Sequence, residues 1–134
     1  MKYKNSIIHI DAFYSDIIMH FGSEQSLKKQ LYKYMCKKDA DELLNKIDFN
    51  CEAMTVFNQE KKIFFVWMPR VPENSQDFGF LVHELFHAVV KMLDTIGVTP
   101  TESSEEVYAY TLGYLMQRVI ETFNLTLGNQ ALKI

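Results

Sequence analysis

Leu81-Val82-His83-Glu84-Leu85-Phe86-His87-Ala88 reads His-Glu-x-x-His inside a strongly apolar, helix-forming run. Residues four apart stand one above the other on a helix, so the two imidazoles can reach the same point in space. That point suits a zinc ion, which takes neutral imidazole nitrogens at about 2.0–2.1 Å. Glu84 follows His83 directly and is close enough to act on a water held there without being a ligand itself.

Working outward, the run predicts a long helix. Asn74 or Ser75 can cap its start, Asp77 lies in its first turn, and Gly97 is its C-terminal stop. Phe78, Phe80, Leu81, Val82, Leu85, Phe86, Val89, Val90, Leu93 and Ile96 make it apolar on most of its circumference, the pattern of a buried central helix. His83, Glu84 and His87 are the polar exceptions in its middle, where unpartnered polar groups are costly.

A catalytic zinc site commonly has three protein ligands, so one remains to be found. Beyond Gly97, residues 99–106 read as a loop and the start of a further helix that continues to about Phe123. Glu105 and Glu106 are the candidates, with eighteen residues between His87 and Glu106. Helix phase favours Glu106, which shares a face with Ala109 and Gly113, small residues that would let the two helices lie close together. Glu105 shares a face with Tyr108 and Leu112 instead. Ser103-x-x-Glu106 also matches a capping box, in which the carboxylate would only close its own helix.

Upstream, residues 6–10 and 13–21 are β-rich runs around Asp11-Ala12 and predict one bent strand or a hairpin. Helices follow from Ser23 to about Met35 and from about Asp39 to Ile47. Residues 52–58 and 62–68 predict two strands joined through Gln59-Glu60-Lys61. Trp67, Phe64 and Phe65 read as sheet packing, and the lone His9 and His20 as ordinary strand residues.

The totals set the class. A chain of 134 residues fits one domain spanning 1–134, and 48% hydrophobic with 23% charged residues is the composition of a folded protein. A net charge of −3 without a basic patch gives no reason to expect nucleic acid. No apolar run approaches the roughly 20 residues of a membrane span, and nothing at the N-terminus reads as a signal peptide. Cys36 and Cys51 cannot make a disulfide framework, so a reduced, cytoplasmic setting is expected.

His83-Glu84-x-x-His87 followed by Glu106-Val107-Tyr108-Ala109 resembles the His-Glu-x-x-His and Glu-x-x-Ala arrangement of gluzincin metallopeptidases. The order of elements over roughly residues 50–120 is similar to the minimal core of small phage and bacterial metallopeptidases. The resemblance implies a zincin-like α+β fold: a small, mostly antiparallel sheet packed on the central helix, a second long helix after it, and the metal between the two helices. It implies Zn2+ held by His83, His87 and Glu106, with Glu84 as general base for peptide-bond hydrolysis by a metal-activated water. By the same resemblance the strand at 62–68 would line the cleft and pair with an extended peptide. An oxyanion donor is usual, and Tyr108, Tyr110, Tyr114, His9 and His20 are all open for that part; Tyr110 could instead orient a ligand. The expected partner is a peptide or protein substrate of narrow range, met in the cytoplasm, a bacterial host's if the chain is phage-encoded. The alternative is a non-catalytic zinc-binding regulatory or phage accessory protein of the same fold that binds a protein partner.

Overall fold

A computed structural model describes residues 3–10, 15–58 and 60–127. The Asp11-Ala12 bend, the first two residues of the expected 13–21 strand, Gln59 in the second hairpin and residues 128–134 lie outside the described residues. Four strands and four helices follow in the order β1 (Lys4–Ile10), β2 (Ser15–Phe21), α1 (Glu24–Tyr34), α2 (Lys37–Asn45), β3 (Met54–Asn58), β4 (Ile63–Met68), α3 (Ser75–Thr95) and α4 (Glu105–Phe123). No helix among the described residues is long and apolar enough to cross a membrane.

The strands form one α+β sheet in the order β1-β2-β4-β3. β1 pairs antiparallel with β2, from Lys4 opposite Phe21 to Ile10 opposite Ser15. β3 pairs antiparallel with β4, from Met54 opposite Trp67 to Asn58 opposite Ile63. The join between the two hairpins is parallel, with Asp16 to Phe21 of β2 against Ile63 to Met68 of β4. The sheet is therefore mixed, and its parallel centre was not part of the sequence expectation.

Alternation along the strands separates two cores. Ile17, Met19 and Phe21 of β2, with Phe64, Val66 and Met68 of β4, pack against α3 and α4. Ile18, Phe65 and Trp67 point the other way, onto Leu27 and Leu31 of α1 and Ala40 and Leu43 of α2. The sheet is the middle of three layers rather than a floor beneath a central helix. This explains why β4 is apolar at every position: both of its faces are covered.

α3 departs from the expected all-round burial. Leu81, Leu85, Ala88, Val89, Met92 and Leu93 are buried, but Val82 is 36% and Phe86 43% exposed. The helix lies on the outside of the sheet and turns a stripe of Val82, His83, Phe86 and His87 to solvent. Apolar composition hid this, because burial of one stripe is enough to hold an outer helix.

The ends of α3 follow the predicted chemistry. Asn74 is the cap residue, its Oδ1 accepting from the Asp77 backbone N–H at 2.8 Å. Asp77 is itself buried and accepts from Arg70 Nη2 at 2.8 Å and from the Glu73 N–H at 3.2 Å. At the far end Gly97 takes φ +79°, with Gly97 N–H bonded to Asp94 O and Val98 N–H to Leu93 O, a Schellman closure. α4 closes the same way around Asn124 at φ 52°.

Candidate metal and acid–base site

Both histidines project from the solvent side of α3. Their Nε2 atoms are 3.1 Å apart, and the rings meet edge to face with centroids 4.8 Å apart. Two nitrogens bound tetrahedrally at 2.0–2.1 Å to one zinc ion would stand about 3.3–3.4 Å from each other. The pair is thus within a few tenths of an ångström of a bidentate metal clamp. The same separation also allows one imidazole to donate to the other. A ligand atom of Glu84 lies within 4.8 Å of ligand atoms of both histidines, and His83, Glu84 and His87 are the one grouping of this kind among the described residues.

Glu84 sits 100° around the helix from His83, which turns it toward β3 rather than toward solvent. It is only 7% exposed. Thr55 of β3 places its Oγ1 at 3.1 Å from Glu84 Oε1 and at 2.9 Å from the Glu84 backbone carbonyl. A cleft of about 400 Å³ opens beside them, lined by residues 50–53, Phe80, His83 and Glu84. The segment entering β3 therefore walls the site. Sequence reasoning overlooked Thr55 and this segment. The available signal was strand alternation, which places Thr55 and Phe57 on the face opposite Met54 and Val56.

The carboxylates of α4 do not join the histidine grouping. Glu106 is exposed in the first turn of α4 and makes no hydrogen bond or ion pair among the described residues. Glu105 lines a separate groove of about 500 Å³ with Phe86, Ala109 and Leu112. The expected close approach of the helices along Ala109 and Gly113 is corrected: a Cβ on Gly113 would meet nothing within 4 Å. α4 instead packs through Tyr108, Thr111, Leu115 and Val119. The capping box at Ser103 and Glu106 is corrected as well. A 3-10 turn at Glu102–Ser104 precedes α4, and the reciprocal cap is made by Thr101 and Ser104.

The open candidates for an oxyanion donor divide clearly. His20 is 1% exposed, with Nδ1 at 2.9 Å from Asn5 Oδ1 and Nε2 at 2.8 Å from Ser26 Oγ, on the α1 side of the sheet. Burial lowers its pKa to about 4. His9 is exposed and paired with Asp16 at 2.6 Å. Tyr108 is buried and donates to Val98 O, while Tyr114 accepts from Arg118. Tyr110 is 75% exposed and alone among these makes no hydrogen bond among the described residues.

The expected cleft strand is corrected too. β4 lies between β2 and β3, so both of its edges are already hydrogen-bonded and neither can accept a peptide. Cys36 and Cys51 are free and exposed. Desolvation first, then the neighbouring Asp48, raises the Cys51 thiol above its ordinary pKa, which disfavours the reactive thiolate.

No family model, curated protein or solved structure matches the chain. The gluzincin likeness is carried by the two short motifs and by no wider similarity.

Proposed function

We propose that the chain is a zinc-dependent peptidase of narrow substrate range, with His83, His87 and Glu106 as metal ligands and Glu84 as general base. The observation that carries this reading is the approach of the two Nε2 atoms to 3.1 Å beside a carboxylate held in a buried setting. The two imidazoles suit zinc, which takes neutral imidazole nitrogens with one carboxylate in hydrolytic sites. Bound there, zinc would supply Lewis acidity and lower the pKa of a coordinated water toward about 7.

The chain's own residues do the rest. Glu84 takes a proton from the attacking water and hands it to the leaving amine, work that a fixed carboxylate accelerates by about 10²–10⁴-fold. Phe80 and residues 50–53 limit the space beside it to a cleft of about 400 Å³, which favours a narrow range of substrates. Glu106 is exposed and its side chain is unpaired among the described residues, so it is the carboxylate proposed to complete the ligand set.

The deciding experiment pairs metal analysis with turnover. Zinc-loaded wild-type protein is incubated with a peptide library read by mass spectrometry, alongside Glu84→Gln. Cleavage by the wild type and its loss in Glu84→Gln, with zinc content equal in both, is the expected result. Equal cleavage by the two proteins would sink the assignment of Glu84, and no cleavage by either would sink the peptidase. Calorimetric zinc titration of Glu105→Ala against Glu106→Ala decides the third ligand, with the loss of affinity expected in the second.

One observation favours the non-catalytic reading. Val82, Phe86, Tyr110 and Tyr114 leave exposed apolar surface on α3 and α4, as a partner-binding face would. Under that reading Glu84→Gln leaves the function of the zinc-loaded protein, partner binding, intact.

A further inference from the structure

We infer that Thr55 is a positioning residue for Glu84, fixing the carboxylate of the proposed general base from the neighbouring strand; this rests on the peptidase reading. A threonine hydroxyl has one proton and two lone pairs, yet here Oγ1 meets two acceptors of the same residue, Glu84 O at 2.9 Å and Glu84 Oε1 at 3.1 Å. The first acceptor is part of the α3 backbone and cannot move without the helix. The single proton is shared between the two as a three-centre bond, which ties the carboxylate oxygen to the helix backbone through Thr55.

Both ends of this contact are anchored. Thr55 pairs with Val66 of β4, and Phe57, two residues on and on the same face, stacks on Phe64 with centroids 4.5 Å apart. The β-branch restricts χ1 in a strand, so the direction of Oγ1 is set by the sheet. Glu84 has three side-chain torsions of its own, and no other hydrogen bond among the described residues restrains them. Remove the hydroxyl and the carboxylate keeps its burial but loses its orientation. A displacement of about 1 Å in a reacting group is enough to cost on the order of 10²-fold in rate.

The competing role is purely structural: a polar strand residue satisfied by a helix carbonyl. The two roles separate on Thr55→Val, which keeps the shape and the strand preference, and Thr55→Ser, which keeps the hydroxyl. On a peptide that the zinc-loaded wild type cleaves, Thr55→Val is expected to lower kcat about 10- to 100-fold, with KM and zinc affinity within about twofold. Thr55→Ser is expected to recover kcat to within about threefold. Wild-type kcat in Thr55→Val overturns the inference, and so does a Thr55→Ser protein as impaired as Thr55→Val.

A second readout is independent of turnover. Three-bond couplings in ¹³C-labelled protein are expected to report one Glu84 rotamer in wild type and Thr55→Ser, and averaging in Thr55→Val. A single unchanged rotamer in all three defeats the inference. If the wild type cleaves nothing, the peptidase reading has failed, and the couplings still decide whether Thr55 orients Glu84.

Discussion

His20 and the His83–His87 pair occupy opposite faces of one sheet and are used in opposite ways. His20, on the α1 side, has both ring nitrogens within hydrogen-bond distance of side chains, Asn5 and Ser26, and is almost fully buried. His83 and His87, on the outer side of α3, are exposed, and each ring's Nε2 faces only the other ring. A histidine surrounded by neutral hydrogen-bonding groups is held as part of the core. Two facing imidazole nitrogens either share one proton in a hydrogen bond or hold a cation between them. The comparison teaches that the face a histidine occupies and the partners it meets there separate the two settings.

The strongest way to break this comparison is to delete histidines from each face and titrate zinc. His83→Ala or His87→Ala is expected to weaken zinc binding by at least about 100-fold in calorimetry, as loss of a ligand should exceed the 10- to 100-fold cost of losing a ligand's supporting contact. His20→Gln is expected to leave zinc affinity within about twofold. Equal losses from both faces would erase the distinction.

Acid should separate the faces by stability. Burial holds the His20 pKa near 4 against an ordinary 6.5, so between those values the unfolded chain binds a proton that the folded chain does not. The stabilisation is whole above pH 6.5 and is lost as pH falls toward 4. A shift of that size corresponds to about 3 kcal/mol. Urea unfolding at pH 7 and pH 4 is expected to show this loss in wild type and a shallower one in His20→Gln. Identical pH slopes would remove His20 from the account.

Two smaller effects sharpen the contrast through the helices that carry each histidine environment. Asp77→Ala strands the Glu73 N–H at the start of α3 and removes the nearer of Arg70's two carboxylate partners, and is expected to cost about 1–3 kcal/mol in denaturant unfolding. Ser23→Ala removes the cap of α1, whose hydroxyl accepts from the Ser26 N–H, and is expected to cost about 1 kcal/mol with zinc binding untouched.

Much of this was legible from residues alone, and the exceptions have physical causes. Asn74, Asp77 and Gly97 bounded α3 because caps act within one turn, and local rules read local signals well. The parallel pairing of β2 with β4 was silent because it joins residues more than forty apart, a separation that periodicity does not encode. Its one trace was the unbroken apolar run of β4, read as a strand but not as a strand covered on both faces. The outward stripe of α3 escaped for the reverse reason: Val82 and Phe86 are apolar and nevertheless exposed. The packing face of α4 was misread because Ala109 and Gly113 are small and nevertheless exposed, while Tyr108, Thr111, Leu115 and Val119 carry the contact. Thr55 was missed because strand alternation gives the face of its hydroxyl but not the residue of α3 that it meets.

The place of β4 between two hairpin halves has a cost that appears only when the sheet is incomplete. Ile63-Phe64-Phe65-Val66-Trp67-Met68 is six residues without charge, proline or glycine, the composition that stacks into intermolecular β-ribbons. In the finished fold β2 and β3 occupy both of its ladders. β2 precedes β4 in the chain, so the full sequence carries the strand that covers this ladder. A fragment beginning after Phe21 would present that ladder naked to its neighbours and should precipitate where the full chain stays dispersed.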